Sequence, residues 1–209
     1  MRSRPLLLAA LFAGVGFASA SMLVALEPPK DQKPALPEGW TMEDMQACIA
    51  AGTPGKQQEF LTKQGGTWKG KSKMWMMPGA DPIESECAST VSSIMGGRYA
   101  KIELKGEMPG MGQMDGLGLC GYDNVAQKYV STWIDNHSTG ISQGVGELSE
   151  DGKKMTWIFS FHCPVTKKPA TLKQIETITG SNTKTLEMYA SDPKSGKEFK
   201  MMHVEFTKQ

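Results

Sequence analysis

The sequence predicts an all-β fold, an up-and-down antiparallel β-barrel of about ten strands with short helices in front of it. Three observations support this prediction. Short β-type runs alternate with glycine, proline and Asx turn residues at about ten-residue intervals from Gly66 onward. The connections have the length of hairpin turns. Several runs also alternate apolar and polar side chains, as at Met155, Trp157 and Phe159.

Closure of the sheet is expected because so many sequential strands would otherwise leave two free edges and one unburied face. A barrel removes both edges, since the first strand pairs with the last. The alternative fold is a sandwich, in which the strands divide between two packed sheets.

The first 20 residues predict a secretory signal peptide. Two arginines precede an apolar run at 6–18, and small residues end the segment at Ala20. The uncharged run continues to Leu26, which makes it long enough to span a bilayer as a retained anchor. Under either interpretation the remainder is exported, as a periplasmic or secreted protein, and only an uncleaved segment would hold it at a membrane.

Residues 21–55 predict a linker and one short helix. The stretch 27–39 is rich in proline and charged residues and should be extended. Thr41 can cap a helix whose apolar residues recur at helical spacing. A second short helix, 56–63, opens the barrel domain at 56–209, and both helices should pack against the mouth or flank of the barrel.

Ten strands follow the helices. In the last of them, alternation places Val204 and Phe206 on one face and His203 and Glu205 on the other. The predicted strands are 67–77, 84–94, 98–106, 113–122, 128–135, 140–148, 154–162, 172–180, 184–190 and 198–208.

Charge balance and cysteine spacing argue against nucleic-acid binding and against a zinc site. The 23 basic and 22 acidic residues nearly cancel, so the chain lacks the dense positive charge that nucleic acids require. The four cysteines, Cys48, Cys87, Cys120 and Cys163, form no C-x-x-C pair. In an oxidising compartment they could form two disulfides or remain small buried hydrophobes.

Two groups of motifs carry a resemblance to known families. Gly66, Thr67 and Trp68 look like the G-x-W start of lipocalin-like barrels, where the tryptophan plugs the closed end and a cation of the last strand, here Lys208, covers the ring. More specific are GGRY at 96–99, GLGLCGYDN at 116–124, TWID at 132–135 and STGI at 138–141. Together they resemble the bacterial domain of unknown function family 1579 over about residues 54–208.

The resemblance implies a lipocalin-like barrel and no particular activity, because none is established for the family. In the family pattern a histidine stands near the position of Gln58 and an arginine near that of Lys208. These two differences argue against chemistry that depends on a histidine.

Two candidate ligand-binding residues, Arg98 and Tyr122, stand beside turns. Arg98 follows two glycines and could reach Asp123 or Asp135, either to fix a turn or to anchor an anionic group of a ligand. Tyr122 precedes an Asp-Asn pair, which is explained by a hairpin turn without any ligand.

Three further candidates, Trp133, Asp135 and His203, lie within strands. Trp133 and Asp135 share one face, where an aromatic ring beside a carboxylate can line a pocket, although core packing also explains a tryptophan. His203, like His162, could ligate a haem inside the barrel or be an ordinary surface histidine.

These observations predict an exported barrel that is not an enzyme and that holds a small, mostly apolar molecule in its interior. We expect no cofactor and no metal site, and the oligomeric state stays open. Asp135, His137 and Ser138 are the residue types of an acyl-transfer triad, but neighbouring positions in one turn do not supply its geometry. The alternatives are a structural or protein-interaction module with a filled interior, and then a haem protein or an enzyme.

Overall fold

The computed structural model describes residues 36–209. The signal peptide and anchor predicted within 1–26, and most of the predicted linker, lie outside the described residues. Two helices, α1 at Met42–Gly52 and α2 at Lys56–Lys63, precede the strands. The ten strands are β1 Gly66–Met74, β2 Ile83–Ile94, β3 Tyr99–Met108, β4 Gly112–Asp123, β5 Lys128–Asp135, β6 Ser142–Leu148, β7 Lys154–His162, β8 Pro169–Ile178, β9 Thr183–Ser191 and β10 Glu198–Lys208.

All ten strands form one closed antiparallel barrel. Each strand pairs with its neighbours in the chain, and β10 returns to pair with β1. This closing pair runs from Trp68 opposite Lys208 to Met74 opposite Met202. The barrel prediction is therefore confirmed, and the alternative of two separate sheets is wrong.

The predicted boundaries of β5, β7 and β10 are confirmed, and the others differ by at most three residues. β1 ends at Met74 because a turn follows it, with a hydrogen bond from the Ala80 N–H to the Met77 carbonyl at 3.3 Å and Gly79 at φ +80°. β8 starts at Pro169, earlier than predicted, since proline is tolerated as the first residue of a strand.

The buried core lies at the end of the barrel where β1 begins. Helix α2 packs there against β2, β3 and β4. We call this the closed end. Apolar side chains from α2 and from strands all round the barrel meet beneath the helix and exclude water. The most buried of them are Leu61, Trp68, Val91, Tyr129, Trp157 and Phe206.

Trp68 plugs the closed end, as its G-x-W motif predicts. The side chain is 3 % exposed, and its indole N–H donates to the Gln64 carbonyl at 3.0 Å. The Lys208 ammonium lies 5.5 Å from the ring centroid, which confirms the predicted cation over the ring. Lys184 lies closer still, at 4.8 Å, and is itself 8 % exposed. The ring therefore has two cationic neighbours rather than one.

Replacing Trp68 with alanine should destabilise the fold. The Trp68→Ala variant leaves a cavity under α2, and we expect its free energy of unfolding to fall by about 3 to 5 kcal/mol in denaturant titration. Trp40→Ala is the matched control, because that ring is 46 % exposed and its loss should change stability by at most about 0.5 kcal/mol. Equal stability of the two variants would contradict the plug assignment.

Candidate functional site

The barrel is open at the end opposite α2. Within residues 41–209 both helices lie at the closed end, where Arg98 donates to the Gly52 carbonyl and Asn124 to the Ala50 and Ala51 carbonyls at the end of α1. In that same range the open end carries only the strand connections 75–82, 109–111, 136–141, 163–168 and 192–197. Entry to the lumen is therefore possible from one side.

Apolar side chains that face the lumen near the open end keep contact with solvent. Strand register and alternation point them inward, yet all of the cup residues named below are only partly buried, whereas most lumen-facing residues at the closed end are buried. Met74 at the end of β1 is an exception, since it is 7 % exposed. The upper half of the lumen is therefore accessible. We call its apolar lining the cup: Leu104, Trp133, Phe161, Leu172, Met188 and Met202.

Two features limit how far side chains reach across the lumen. A barrel of ten strands is wider than one of eight, in which side chains just fill the interior. In addition, aromatic rings lie flat against the wall instead of reaching across it. A Cβ on Gly116 would stand 2.2 Å from Trp133 Cζ2, and one on Gly146 would stand 2.6 Å from Trp157 Cε3. Only glycine permits rings to approach the wall so closely.

The lumen wall of β1 and β2 is built from small residues. Gly70 and Ser72 face inward on β1, and Ser85, Cys87 and Ser89 do so on β2. None of these side chains is long enough to cross the interior. This side of the lumen is therefore lined by short side chains.

A polar group crosses the lumen below the cup, and we call it the floor: Gln174, Glu176 and Lys184. The Lys184 ammonium lies 3.5 Å from Glu176 Oε2, and the Gln174 amide donates to Glu176 Oε1 at 3.0 Å. These side chains can hydrogen-bond a polar group of a molecule seated in the cup. The neighbouring thiol of Cys120 is inert, because burial raises its pKa to about 12.

The space below the floor is too small for an organic ligand. A cavity of about 50 Å³ remains between α2 and the floor, lined by Phe60, Leu61, Cys120 and Lys184 among others. Small-molecule pockets begin at roughly 300 Å³, so this cavity suits a few water molecules only. An organic ligand inside the barrel must therefore lie above the floor, in the cup.

Arg98 holds helix α1 and does not reach the lumen, so its predicted pairing with Asp123 or Asp135 is wrong. The Arg98 guanidinium is exposed and donates to the carbonyl of Gly52 at 2.9 Å and to that of Met95 at 3.2 Å. These bonds satisfy carbonyls that a helix end and a tight turn leave without partners. No residue of α1 is buried, so this helix does not pack its apolar residues on the barrel as predicted.

Tyr122 belongs to the same docking arrangement at the closed end. Its carbonyl accepts a hydrogen bond from the buried Gln58 amide at 3.0 Å, and its ring packs edge-on against Tyr129 at 4.9 Å. Gln58 also donates to Asn124, whose own amide bonds the Thr53 carbonyl at 2.8 Å. The Asp-Asn turn thus fixes the two helices.

Trp133 and Asp135 are the only two predicted site residues that the structure brings together in the described lumen. Asp135 accepts from the Trp133 indole N–H at 2.9 Å and from the His137 backbone N–H at 3.0 Å. The His137 ring lies instead against the Gln113 carbonyl, so no triad forms. Tyr122 is opposite Tyr129 of β5, and Tyr129 is six residues from Asp135 along that strand. Tyr122 and Asp135 are therefore about 20 Å apart along the barrel wall.

His203 lies on the outer face of β10. It is opposite Lys73 and Glu187, and its Nδ1 is 3.5 Å from Glu187 Oε1, while Val204 points into the core. An imidazole on this face cannot ligate a haem held in the lumen. Across residues 36–209 no group of three or more potential metal ligands is found.

Comparison with protein families adds a family assignment to this geometry. The sequence profile described as "Protein of unknown function (DUF1579)" matches residues 53–208. The chain belongs to the DUF1579 family. No curated protein matches it in sequence.

Solved structures resemble this DUF1579 chain in fold. The crystal structure of Rv2717c from M. tuberculosis is 13 % identical with a TM-score of 0.55, and the match covers 75 % of this chain and 99 % of that one. A redesigned β-barrel is 9 % identical with a TM-score of 0.39, over 74 % of this chain and 96 % of its own. At such identities the first likeness supports the barrel fold alone.

The floor residues of the DUF1579 barrel escaped the sequence analysis. Charged residues in strands are usually placed in water, so Glu176 and Lys184 drew no attention. A signal did exist, because Glu176 alternates in step with Leu172 and Ile178 on the inward face of β8.

No helix among residues 36–209 has the length and apolar character of a membrane span.

All four cysteines are free thiols. Cys87 and Cys120 face the lumen on β2 and β4, but Cys87 is opposite Gly106 of β3 and Cys120 is opposite Ala100, six residues away along that strand. The two thiols are therefore about 20 Å apart, too far for a disulfide. Burial, helped by the Glu86 charge, raises the pKa of Cys87 to about 11. At Cys163, hydrogen bonds from Thr166 lower the pKa of the thiol. Cys48 is exposed on α1.

Thiol labelling should separate these two classes. At pH 8 the lumen thiols stay protonated below their raised pKa, so a disulfide reagent should react quickly with Cys48 and Cys163 and with Cys87 and Cys120 only after unfolding. Thiols are counted spectrophotometrically with and without denaturant. A Cys163→Ser control should remove one fast thiol, and four equally fast thiols would contradict the lumen positions.

Proposed function

We propose that this DUF1579 protein binds a small, mostly apolar molecule in the cup of its barrel. The observation that carries the proposal is the accessible apolar lining at the open end, set above a closed end that is packed and plugged by Trp68. Small-molecule sites in proteins are concave and mostly apolar with a few polar groups, and the mouths of barrels are common places for them.

The chemistry of the lining supports binding rather than catalysis. The cup offers aromatic, aliphatic and thioether side chains, and methionine adapts its shape to varied apolar ligands. The Cys120 thiol is protonated at neutral pH, and Asp135 is already bonded to Trp133 and to the His137 N–H. The polar groups therefore orient a ligand, with Trp133 and Asp135 at the rim and Gln174 at the floor.

Filling the cup should abolish binding. The neutral fluorophore N-phenyl-1-naphthylamine should bind the wild-type protein saturably, with a rise in its emission. Leu172→Trp places an indole in the cup and should weaken this binding about tenfold or more, a loss of about 1.4 kcal/mol. Fluorescence titration measures both affinities, and circular dichroism checks that the variant is folded.

Ile158→Trp is the control for this experiment. Ile158 lies on the neighbouring strand β7, faces outward and is 43 % exposed, so the same change there should leave probe binding as in the wild type. Absence of saturable binding by the wild type, or equal affinity of the Leu172→Trp variant, would reject the proposal. The structural or protein-interaction module would then be the better account.

We also propose that the barrel works outside the cytoplasm. The support is the sequence of the first 26 residues, with its arginines, its apolar run and its small residues up to Ala20. Protein isolated from its own cells should have the intact mass of a chain that begins after Ala20. A full-length mass in the membrane fraction would indicate the anchor instead, and a full-length mass in the cytosol would contradict export.

A further inference from the structure

The charged side chains of the cup and its floor already have partners. Lys184 and Glu176 pair with each other at 3.5 Å. Asp135 accepts two hydrogen bonds, from the Trp133 indole at 2.9 Å and from the His137 backbone at 3.0 Å. Among residues 36–209, a carboxylate entering the cup would therefore meet no free cation. It could recruit Lys184 only by leaving the partly buried Glu176 without its counter-ion, which is unfavourable.

The lumen polar groups without partners are neutral hydroxyls. Ser72 and Ser89 are 6 % and 5 % exposed, and neither hydroxyl makes a hydrogen bond within residues 36–209. In that same part of the chain no fully sealed side-chain polar atom lacks a partner, so both hydroxyls open onto the lumen space. A buried hydroxyl that loses water without gaining a partner costs free energy.

Both hydroxyls lie between the plug and the cup. Ser89 on β2 is directly opposite the cup residue Leu104 on β3 and, on its other side, directly opposite Trp68 on β1. Ser72 on β1 is opposite Val204 and lies two residues below Met74, which pairs with the cup residue Met202. A molecule that fills the cup displaces water from this small-residue wall and must replace its hydrogen bonds to the hydroxyls.

We infer that the ligand of the cup is an uncharged molecule that carries a hydroxyl or carbonyl group, and that fatty-acid-type carboxylates are rejected. This inference rests on the proposed function, since it specifies the class of molecule that the cup accepts. Ser72 and Ser89 supply hydrogen bonds to the polar group, while the paired charges of the floor leave nothing to neutralise an anion.

A matched pair of probes tests the charge preference. Parinaric acid and the corresponding primary alcohol share one fluorescent polyene chain and differ in charge at pH 8. The alcohol should bind the wild-type protein about tenfold tighter or more, because the acid must bury an unpaired carboxylate. Equal or tighter binding of the acid would overturn the inference while N-phenyl-1-naphthylamine still bound. Failure of all three probes would reject the proposed function itself.

Serine variants test the hydrogen bonds. Ser72→Ala, Ser89→Ala and the double variant should weaken binding of the alcohol, by about fivefold to tenfold in the double variant, and should leave N-phenyl-1-naphthylamine unchanged. Thr90→Ala, on the outer face of β2, is the control. Unchanged affinity of the double variant for the alcohol would overturn the role of the hydroxyls, and an equal loss for both probes would indicate a change in cup shape instead.

Discussion

The pairing of the first strand with the last is the constraint on which the rest of this structure depends. Seven residue pairs join β1 to β10, and they bring Trp68 and Phe206 into the same closed end. The approach is tight, since a Cβ on Gly70 would stand 2.7 Å from Phe206 Cε1. Without this pairing the sheet would have two free edges, and the plug beneath α2 would lose one of its walls.

The two halves of the barrel differ in how their side chains fill the interior. At the closed end Trp68, Trp157 and Phe206 are stacked with α2 and the Lys184 side chain into a packed core. Toward the open end, Trp133 lies against Gly116 and Gly118, and the wall formed by β1 and β2 carries serines, so short side chains line this level. The closed end therefore supplies the packing that stabilises the barrel, and the open end supplies the apolar lining of the cup. Side chains of the cup can change conformation without disturbing the packing around Trp68.

The strands could be predicted because their signals are local: period-two alternation and turn residues fix β5, β7 and β10 to the residue. The direction of a side chain beside a turn depends on residues that are distant in the sequence. The partner of Arg98 is the Gly52 carbonyl at the end of α1, 46 residues away, so its predicted pairing was wrong. Alternation of β10 did place His203 opposite Val204, which already indicated the outer face. Glu176 and Lys184 were overlooked because an ion pair inside a barrel runs against the usual exposure of charge.

The separation of Cys87 from Cys120 by a whole strand has a consequence for the environment in which the protein can persist. No covalent cross-link contributes to the closed barrel, so reductants and oxidants leave its core untouched. Reaction is confined to Cys163 and Cys48, which stand at the open end and on α1. The protein should keep its shape in either redox setting, and damage by oxidants should begin at its surface.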